Sequence, residues 1–225
     1  AFEYQGQKCS AASRAYIPES MWPALREQLV DQVKTVKMGD VCNFTNFMGA
    51  VIDANAFQSI SGYIEYAKSQ EDLEVLVGGG YDDSEGYFIE PAVVVSKDPK
   101  SRLMQEEIFG PVLTIYVYPD AEYEESLRLC DQTSPYALTG AIFAQDRKAV
   151  VLATNILRHA AGNFYINDKP TGAVVGQQPF GGSRASGTND KAGSWINLER
   201  WISPRTIKEN FLPPGSYPYP YMDEA

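Results

Sequence analysis

The 225-residue sequence predicts an α/β domain in which a largely parallel sheet is flanked by helices. Three observations support this fold class. Short β-prone segments alternate with amphipathic helical segments between residues 14 and 168. Hydrophobic residues make up 44% of the chain and aromatic residues 12%, as in a globular core. Neither a repeat nor a domain boundary interrupts the first 168 residues.

The predicted strands share β-branched and aromatic residues bounded by glycine or proline. In chain order they are residues 14–17, "EVLVGGG", "GYFIEPAVVVS", "GPVLTIYVYP", "LTGAIFA" and "GNFYIN". Pro91, inside the third segment, indicates an edge strand or a boundary. The glycines of "VGGGYDD" lack the strand–GxGxxG–helix context of a phosphate loop, so we interpret them as a turn.

The predicted helices share apolar residues at helical spacing. Pro18 and Glu19 are expected to open the first helix, and Gly39 is expected to close it. The second spans residues 55–69 and carries an apolar face: Phe57, Ile60, Ile64 and Ala67. Two further helices are predicted at residues 121–131 and in "DRKAVVLATNILRHA".

Composition excludes several classes of function. A formal net charge of -10 argues against nucleic-acid binding, and the chain has no run of 18 apolar residues that could cross a membrane. The three cysteines, Cys9, Cys42 and Cys130, are far apart and odd in number. We therefore expect neither a disulfide framework nor a metal site, and we interpret Cys42 and Cys130 as structural.

The sequence changes character after residue 168. The segment "TGAVVGQQPFGGSRASGTNDKAG" holds six of the chain's 18 glycines, and loops of this length are often functional. "ERWISPRTIKEN" predicts a short edge-like strand. The alternating proline and tyrosine of "PPGSYPYPYMDEA" predict an extended arm that lies on a neighbouring surface.

Cys9 is the first candidate for chemistry. Gly6 allows the backbone to approach a ligand, and the small residues after Cys9 leave room beside the sulfur. The start of a helical turn stabilises a thiolate, and the Cys9 N–H is placed to donate to an oxyanion. A small buried residue remains the alternative for Cys9, and Glu106 and Glu107 of "EEIFGPV" are, taken alone, compatible with a solvated pair.

The motifs "GQKC", "GYFIEP", "EEIFGPV", "GNFYIN" and "PFGGSRASG", in this order, resemble the aldehyde dehydrogenase superfamily across nearly the whole chain. The resemblance implies a catalytic domain at residues 1–197 and a C-terminal oligomerisation strand with an extended tail at residues 198–225. It also implies an NAD-binding domain upstream of the nucleophile that this chain does not contain. On this interpretation the isolated chain is not expected to complete NAD-dependent turnover.

The resemblance assigns roles to three residues of the cofactor and nucleophile side. Cys9 attacks the aldehyde to give a thiohemiacetal, hydride transfer to NAD gives a thioester, and water releases the acid. Glu107 binds the ribose hydroxyls of the nicotinamide half, and Phe109 packs beside that ribose. A carboxylate suits this role because it accepts hydrogen bonds from both hydroxyls.

The segments "FEYQGQKCSA", "GQQPFGG" and "ASGTNDKAG" resemble the branch of the family that oxidises L-glutamate γ-semialdehyde to L-glutamate in proline catabolism. The resemblance implies that the N–H groups of Gly172 and Ala173, with the Ser10 hydroxyl, bind the substrate carboxylate. Phe180 then packs on the aliphatic carbons of the substrate. Ala173 departs from relatives that carry serine there.

The same resemblance implies a homodimer or larger homo-oligomer in the mitochondrial matrix, or in the cytoplasm if the source is bacterial. Three alternatives stay open. The substrate is a different aldehyde, the chain is a Cys–His hydrolase that uses Cys9 and His159, or it is a non-catalytic assembly module.

Overall fold

The computed structural model describes residues 1–174 and 176–222. The helices in these residues are α1 (Trp22–Lys34), α2 (Ala54–Ser69), α3 (Arg102–Gln105), α4 (Tyr123–Gln132), α5 (Arg147–Ile156) and α6 (Trp195–Glu199). The strands are β1 (Arg14–Pro18), β2 (Leu73–Val77), β3 (Tyr81–Asp82), β4 (Phe88–Ile89), β5 (Ala92–Ser96), β6 (Val112–Tyr118), β7 (Tyr136–Ala137), β8 (Thr139–Ile142), β9 (Asn163–Ile166) and β10 (Ser183–Arg184). No described helix is long and apolar enough to cross a bilayer.

The main sheet has four strands in the order β1-β6-β5-β2. β6 is parallel to both β1 and β5, and β2 pairs antiparallel at the far edge, which confirms the predicted, largely parallel sheet. Arg14 lies opposite Thr114, and Ala92 lies opposite Val112. The amino ends of the three parallel strands therefore meet at one edge of the sheet.

Three two-stranded sheets complete the described fold. β8 and β9 are parallel, whereas β7 with β10 and β3 with β4 are antiparallel. The β3–β4 hairpin follows Gly78 and Gly79, both at positive φ, so the prediction of a turn at "VGGGYDD" is confirmed. The β7–β10 pair joins the glycine-rich loop to the chain just before β8.

Helices cover both faces of the main sheet. The predicted apolar face of α2 is buried against β5 and its neighbours, with Ile60 and Ile64 in the centre of that cluster. Trp22, Leu29 and Val33 of α1 pack in a second cluster with Val93 and Ile115. This layering buries the sheet and leaves its strand-entry turns accessible.

Of two predicted features around prolines, the one at Pro18 is wrong and the one at Pro91 is confirmed as a boundary. Pro18 is the last residue of β1 and does not open a helix, because α1 begins at Trp22 with a proline in its first turn. β1 is an edge strand, where the missing N–H of proline is tolerated. Pro91 marks the expected boundary between β4 and β5, but β5 is a central strand and not an edge.

The C-terminal region carries α6 and a short 3-10 turn at Pro220–Met222. Residues 202–210 adopt no regular structure and are exposed, so the strand predicted in "ERWISPRTIKEN" is absent from this chain. A strand requires a neighbour to hydrogen-bond with, and none lies beside this segment in the described residues. An oligomerisation strand here stays a prediction, and residues 223–225 of the predicted arm lie outside the described residues.

Candidate active site

Cys9 lies in a tight turn just before β1. The Ala11 N–H donates to the Lys8 carbonyl at 3.1 Å, which makes Cys9 and Ser10 the two central residues of the turn. The Cys9 residue is exposed, so the alternative of a buried structural cysteine does not apply. Within the described chain the Cys9 N–H has no hydrogen-bond acceptor, and it is free to stabilise a developing oxyanion.

The turn that precedes Cys9 has an unusual backbone. Tyr4, Gln5 and Gly6 have φ values of 56°, 58° and 67°, in the left-handed region that disfavours side chains. The side-chain amide of Gln5 stabilises this conformation, since it donates to the Ala50 carbonyl at 3.0 Å and accepts from the Gly49 N–H at 3.1 Å. Residues 49–50 thereby fix the path of the chain into Cys9.

Gly6 brings the Cys9 turn against the loop that contains Glu107. A Cβ atom on Gly6 would overlap the carbonyl group of Gly110 and would lie 3.0 Å from the Pro111 nitrogen. Only glycine allows this backbone-on-backbone approach. The contact joins the predicted nucleophile motif "GQKC" to the predicted cofactor motif "EEIFGPV", which are about a hundred residues apart in the chain.

The structure distinguishes the two glutamates of that motif. Glu106 accepts hydrogen bonds from the Tyr63 hydroxyl at 2.6 Å and from Arg102 Nε at 2.8 Å, and the first of these holds the pKa of Glu106 below its ordinary value. The Arg102 guanidinium lies 4.5 Å from the Tyr63 ring centroid, so the three side chains form one cluster. Glu106 is therefore occupied by structural contacts.

Glu107 has no hydrogen-bond partner among the described residues. The residue is exposed, while its carboxyl group is partly shielded, and this burial raises the pKa of Glu107 against the opposing charge of Arg14. Phe109 has a φ of 54° and is 44% exposed, although its neighbours Ile108 and Gly110 are buried. The loop thus presents Glu107 and Phe109 to an external ligand.

The predicted carboxylate-binding loop is only partly ready to bind. The Gly172 N–H donates to the Lys169 carbonyl at 3.0 Å, so this amide is engaged within its own turn. The Ala173 N–H has no acceptor in the described part of the chain. Next to it, the Gln178 side chain accepts from the Val174 N–H at 2.8 Å and closes the loop.

Phe180 is held by its backbone. It exchanges two hydrogen bonds with Ala192, at 2.9 and 2.8 Å. The buried Asn163 side chain donates to the Pro179 carbonyl at 3.1 Å and accepts from the Gly181 N–H at 3.0 Å. Asn163 was not among the predicted site residues, although a polar residue near the start of a β-prone segment is a signal that indicates such a contact.

The structure joins some of the predicted site residues and not others. The Lys8 side chain forms an ion pair with Glu3 at 3.0 Å and lowers the pKa of Glu3, and the charge of Lys169 lowers it further. The start of the glycine-rich loop therefore lies near the N-terminal turn. No hydrogen bond joins Ser10 to residues 172–174 or 176–180.

The remaining candidates lie away from this arrangement. His159 is exposed in the turn after α5 and forms no hydrogen bond with Cys9, so the structure offers no support for a Cys–His pair. Burial raises the pKa of Cys130, which packs with α4 and α5 as a structural residue. Cys42 is exposed, so its interpretation as a structural residue gains no support from burial and stays a prediction.

Comparison with known proteins identifies relatives over nearly the whole chain. The model of the "Aldehyde dehydrogenase family" matches residues 1–207. A mitochondrial delta-1-pyrroline-5-carboxylate dehydrogenase of Dictyostelium discoideum is 64% identical over 222 residues, and that of Homo sapiens is 56% identical over 223. Each alignment covers 99% of this chain and 40% of the relative, so the chain spans about two fifths of their length.

Solved structures give the same result. The chain is similar to the delta-pyrroline-5-carboxylate dehydrogenase of Mycobacterium tuberculosis bound with NAD, with 53% identity and a TM-score of 0.84. The match covers 99% of this chain and 40% of that structure. A betaine aldehyde dehydrogenase of Staphylococcus aureus is 32% identical with a TM-score of 0.78, over 88% of this chain and 39% of the other.

Proposed function

We propose that the whole protein oxidises L-glutamate γ-semialdehyde to L-glutamate in proline catabolism, because this chain belongs to the aldehyde dehydrogenase family. The substrate forms from 1-pyrroline-5-carboxylate, the compound in the names of the relatives. The observation that carries the proposal is the contact of Gly6 with Gly110, which places an exposed cysteine turn against a loop with an unoccupied carboxylate.

Cys9 is the nucleophile in this proposal. Its thiolate forms a bond to the aldehyde carbon, and the carbonyl electrons move onto oxygen to give a thiohemiacetal. The free Cys9 N–H donates to that oxygen. After oxidation to the thioester, water attacks the same carbon, the carbon–sulfur bond breaks, and glutamate and the thiolate are released.

When bound, NAD would be the oxidant that accepts the hydride, and the Mycobacterium tuberculosis relative is bound with NAD. The residues of this chain fit it. Glu107 offers two acceptor oxygens that have no competing partner among the described residues, which suits the two hydroxyls of a ribose. Phe109 offers an exposed aromatic face next to them, where the backbone of its loop is fixed by Gly6.

The substrate carboxylate binds to the free N–H of Ala173 and to the hydroxyl of Ser10 in this proposal. The Gly172 N–H joins them when it leaves or shares its hydrogen bond with the Lys169 carbonyl. Phe180 packs on the aliphatic carbons. Together these four contacts, from Ser10, Gly172, Ala173 and Phe180, select an aldehyde with a distant carboxylate over a simple aliphatic aldehyde.

Two further assignments concern the whole protein. Residues 1–197 act as the catalytic domain, next to a separate NAD-binding domain. Residues 198–225 contribute to a homodimer or larger homo-oligomer, which is supported by the exposure of Trp201, Ile202 and Ile207. The mitochondrial names of the relatives support a place in the mitochondrial matrix.

A substrate comparison on the whole protein tests the function. NADH formation is measured by absorbance with glutamate γ-semialdehyde and with propanal, for the wild type and for Cys9→Ser. We expect a marked preference for glutamate γ-semialdehyde in kcat/KM and no NADH formation by Cys9→Ser. Equal kcat/KM for the two aldehydes contradicts the proposed substrate, and an active Cys9→Ser contradicts the proposed nucleophile.

A further inference from the structure

Lys191 lies in the glycine-rich loop and makes an unusual pair of contacts. Its ammonium group donates to the carbonyl oxygen of Gly181 at 2.8 Å and to that of Gly162. Gly162 directly precedes β9, and Gly181 follows Phe180 in the "PFGG" motif. A single cation therefore bridges two backbone segments that are 19 residues apart in the sequence.

The two bridged segments are in close contact. A Cβ atom on Gly162 would overlap the Gly181 carbonyl oxygen, so glycine is required for this approach. Two carbonyl groups from different segments meet there, and their negative ends repel each other unless a donor lies between them. The ammonium group of Lys191 provides that donor, and hydrogen bonds of a charged donor are stronger than neutral ones.

Lys191 is not held by a carboxylate. Among the described residues it forms no ion pair, although neighbouring Asp190 pairs with Arg200. Partial burial lowers the pKa of Lys191, which shows that the ammonium group loses some hydration at this position. A partly desolvated cation without a counter-ion is costly, and within the described part of the chain two carbonyl oxygens compensate for the lost hydration.

We propose that Lys191 is a positioning residue for the aldehyde substrate, because it fixes Phe180 and the adjoining loop against the start of β9. Three sets of contacts converge on residues 179–181. Asn163 binds the Pro179 carbonyl and the Gly181 N–H, Ala192 pairs with Phe180, and Lys191 binds the Gly181 carbonyl. The role in substrate binding rests on the proposed function, whereas the role in fixing this segment does not.

The test compares Lys191→Met with Lys148→Met in the whole protein. Methionine is an unbranched side chain that is one atom shorter than lysine and has no charge and no donor. Lys148 is exposed on α5 and its side chain forms no hydrogen bond in the described residues, so the control removes a charge without a contact. Lys191→Arg restores a charged donor and serves as the conservative variant.

The kinetic readout separates substrate binding from chemistry. Lys191→Met is expected to raise KM for glutamate γ-semialdehyde about tenfold, with smaller changes in kcat and in KM for NAD. Lys191→Arg is expected to restore part of the loss. KM values of Lys191→Met equal to those of Lys148→Met overturn the role in substrate binding.

Hydrogen exchange provides a readout that does not need activity. Lys191→Met is expected to accelerate amide exchange in residues 176–187 and not in α5, whereas Lys148→Met changes neither. Unchanged exchange in residues 176–187, or an equal acceleration throughout the protein, overturns the positioning role. If the wild type does not oxidise glutamate γ-semialdehyde, the proposed function fails, and hydrogen exchange still decides whether Lys191 fixes the segment.

Discussion

Replacing Gly6 by alanine tests the contact that joins the two halves of the candidate site. The new Cβ atom would overlap the Gly110 carbonyl group, and residue 6 has a φ of 67°. A non-glycine residue in the left-handed region costs about 1–2 kcal/mol, and an extra group in a packed contact costs about 1–3 kcal/mol. We therefore expect Gly6→Ala to lower the free energy of unfolding by about 2–5 kcal/mol, taking the two costs as additive.

Gly62→Ala is the matched control, because it adds the same methyl group elsewhere. Gly62 lies in the middle of α2, with nothing within 4 Å of its added Cβ. Alanine is favoured over glycine in a helix, so this variant is expected to raise the free energy of unfolding by about 0.5–1 kcal/mol. The same substitution thus has opposite signs at the two positions.

Urea titration of the whole protein measures both changes, and steady-state kinetics measures their effect on the site. Gly6 is three residues from Cys9, and a misplacement of about 1 Å costs on the order of 100-fold in rate. We expect kcat to fall to that extent in Gly6→Ala and to stay unchanged in Gly62→Ala. A Gly6→Ala variant as stable and as active as the wild type refutes the role of this contact.

Three further predictions concern the titratable residues. Glu107→Gln is expected to raise KM for NAD about tenfold, because a charged acceptor is lost, whereas Glu106→Gln leaves it unchanged since that carboxylate is occupied. Burial raises the pKa of Glu107 above its ordinary 4.5. As the pH falls, protonation of Glu107 is therefore expected to raise KM for NAD, and this rise begins above pH 4.5. Glu107→Gln should lack this rise. His159→Ala is expected to keep full activity, and an inactive variant would favour the hydrolase.

Local sequence patterns predicted most of the regular structure. The apolar face of α2 is buried as its spacing indicated, and β6 forms where a β-branched run lies between glycine and proline. The two-residue strands β3, β7 and β10 were not predicted, because they are too short for a periodic pattern and depend on a distant partner. Residues 202–210 were predicted as a strand but form none, because a β-prone segment without a neighbouring strand has no partner for its backbone hydrogen bonds.

The sequence predicted which residues form the candidate site, but it did not predict most of the contacts between them. Motifs pointed to Cys9 and Glu107, and both are exposed, with no competing side-chain hydrogen bond in residues 1–174 and 176–222. The family resemblance singled out Glu107, but the residue pattern alone could not show that the adjacent Glu106 is occupied, because its partner Tyr63 is 43 residues away. The engaged N–H of Gly172 was also not foreseen, since a turn hydrogen bond depends on the path of the loop and not on residue types.

Parallel pairing explains why the functional motifs meet at all. The Cys9 turn leads into β1, and the Glu107 loop leads into β6. Because these two strands are parallel neighbours, their amino ends, and hence both turns, lie at the same edge of the sheet. The strands are neighbours in space but far apart in sequence, so the motif order alone could not establish this contact.

The same geometry recurs in the small sheet that supports Phe180. Asn163 opens β9, which is parallel to β8, and β10 returns the glycine-rich loop to β7, just before β8. The "PFGG" segment therefore also lies at the amino ends of a parallel pair, where Asn163 and Lys191 contact its backbone. At both places strand-entry turns carry the residues that we propose to bind and react, and the strands fix the separation of these turns. Changes to these turns are thus expected to alter KM and kcat more than changes of similar size within the strands.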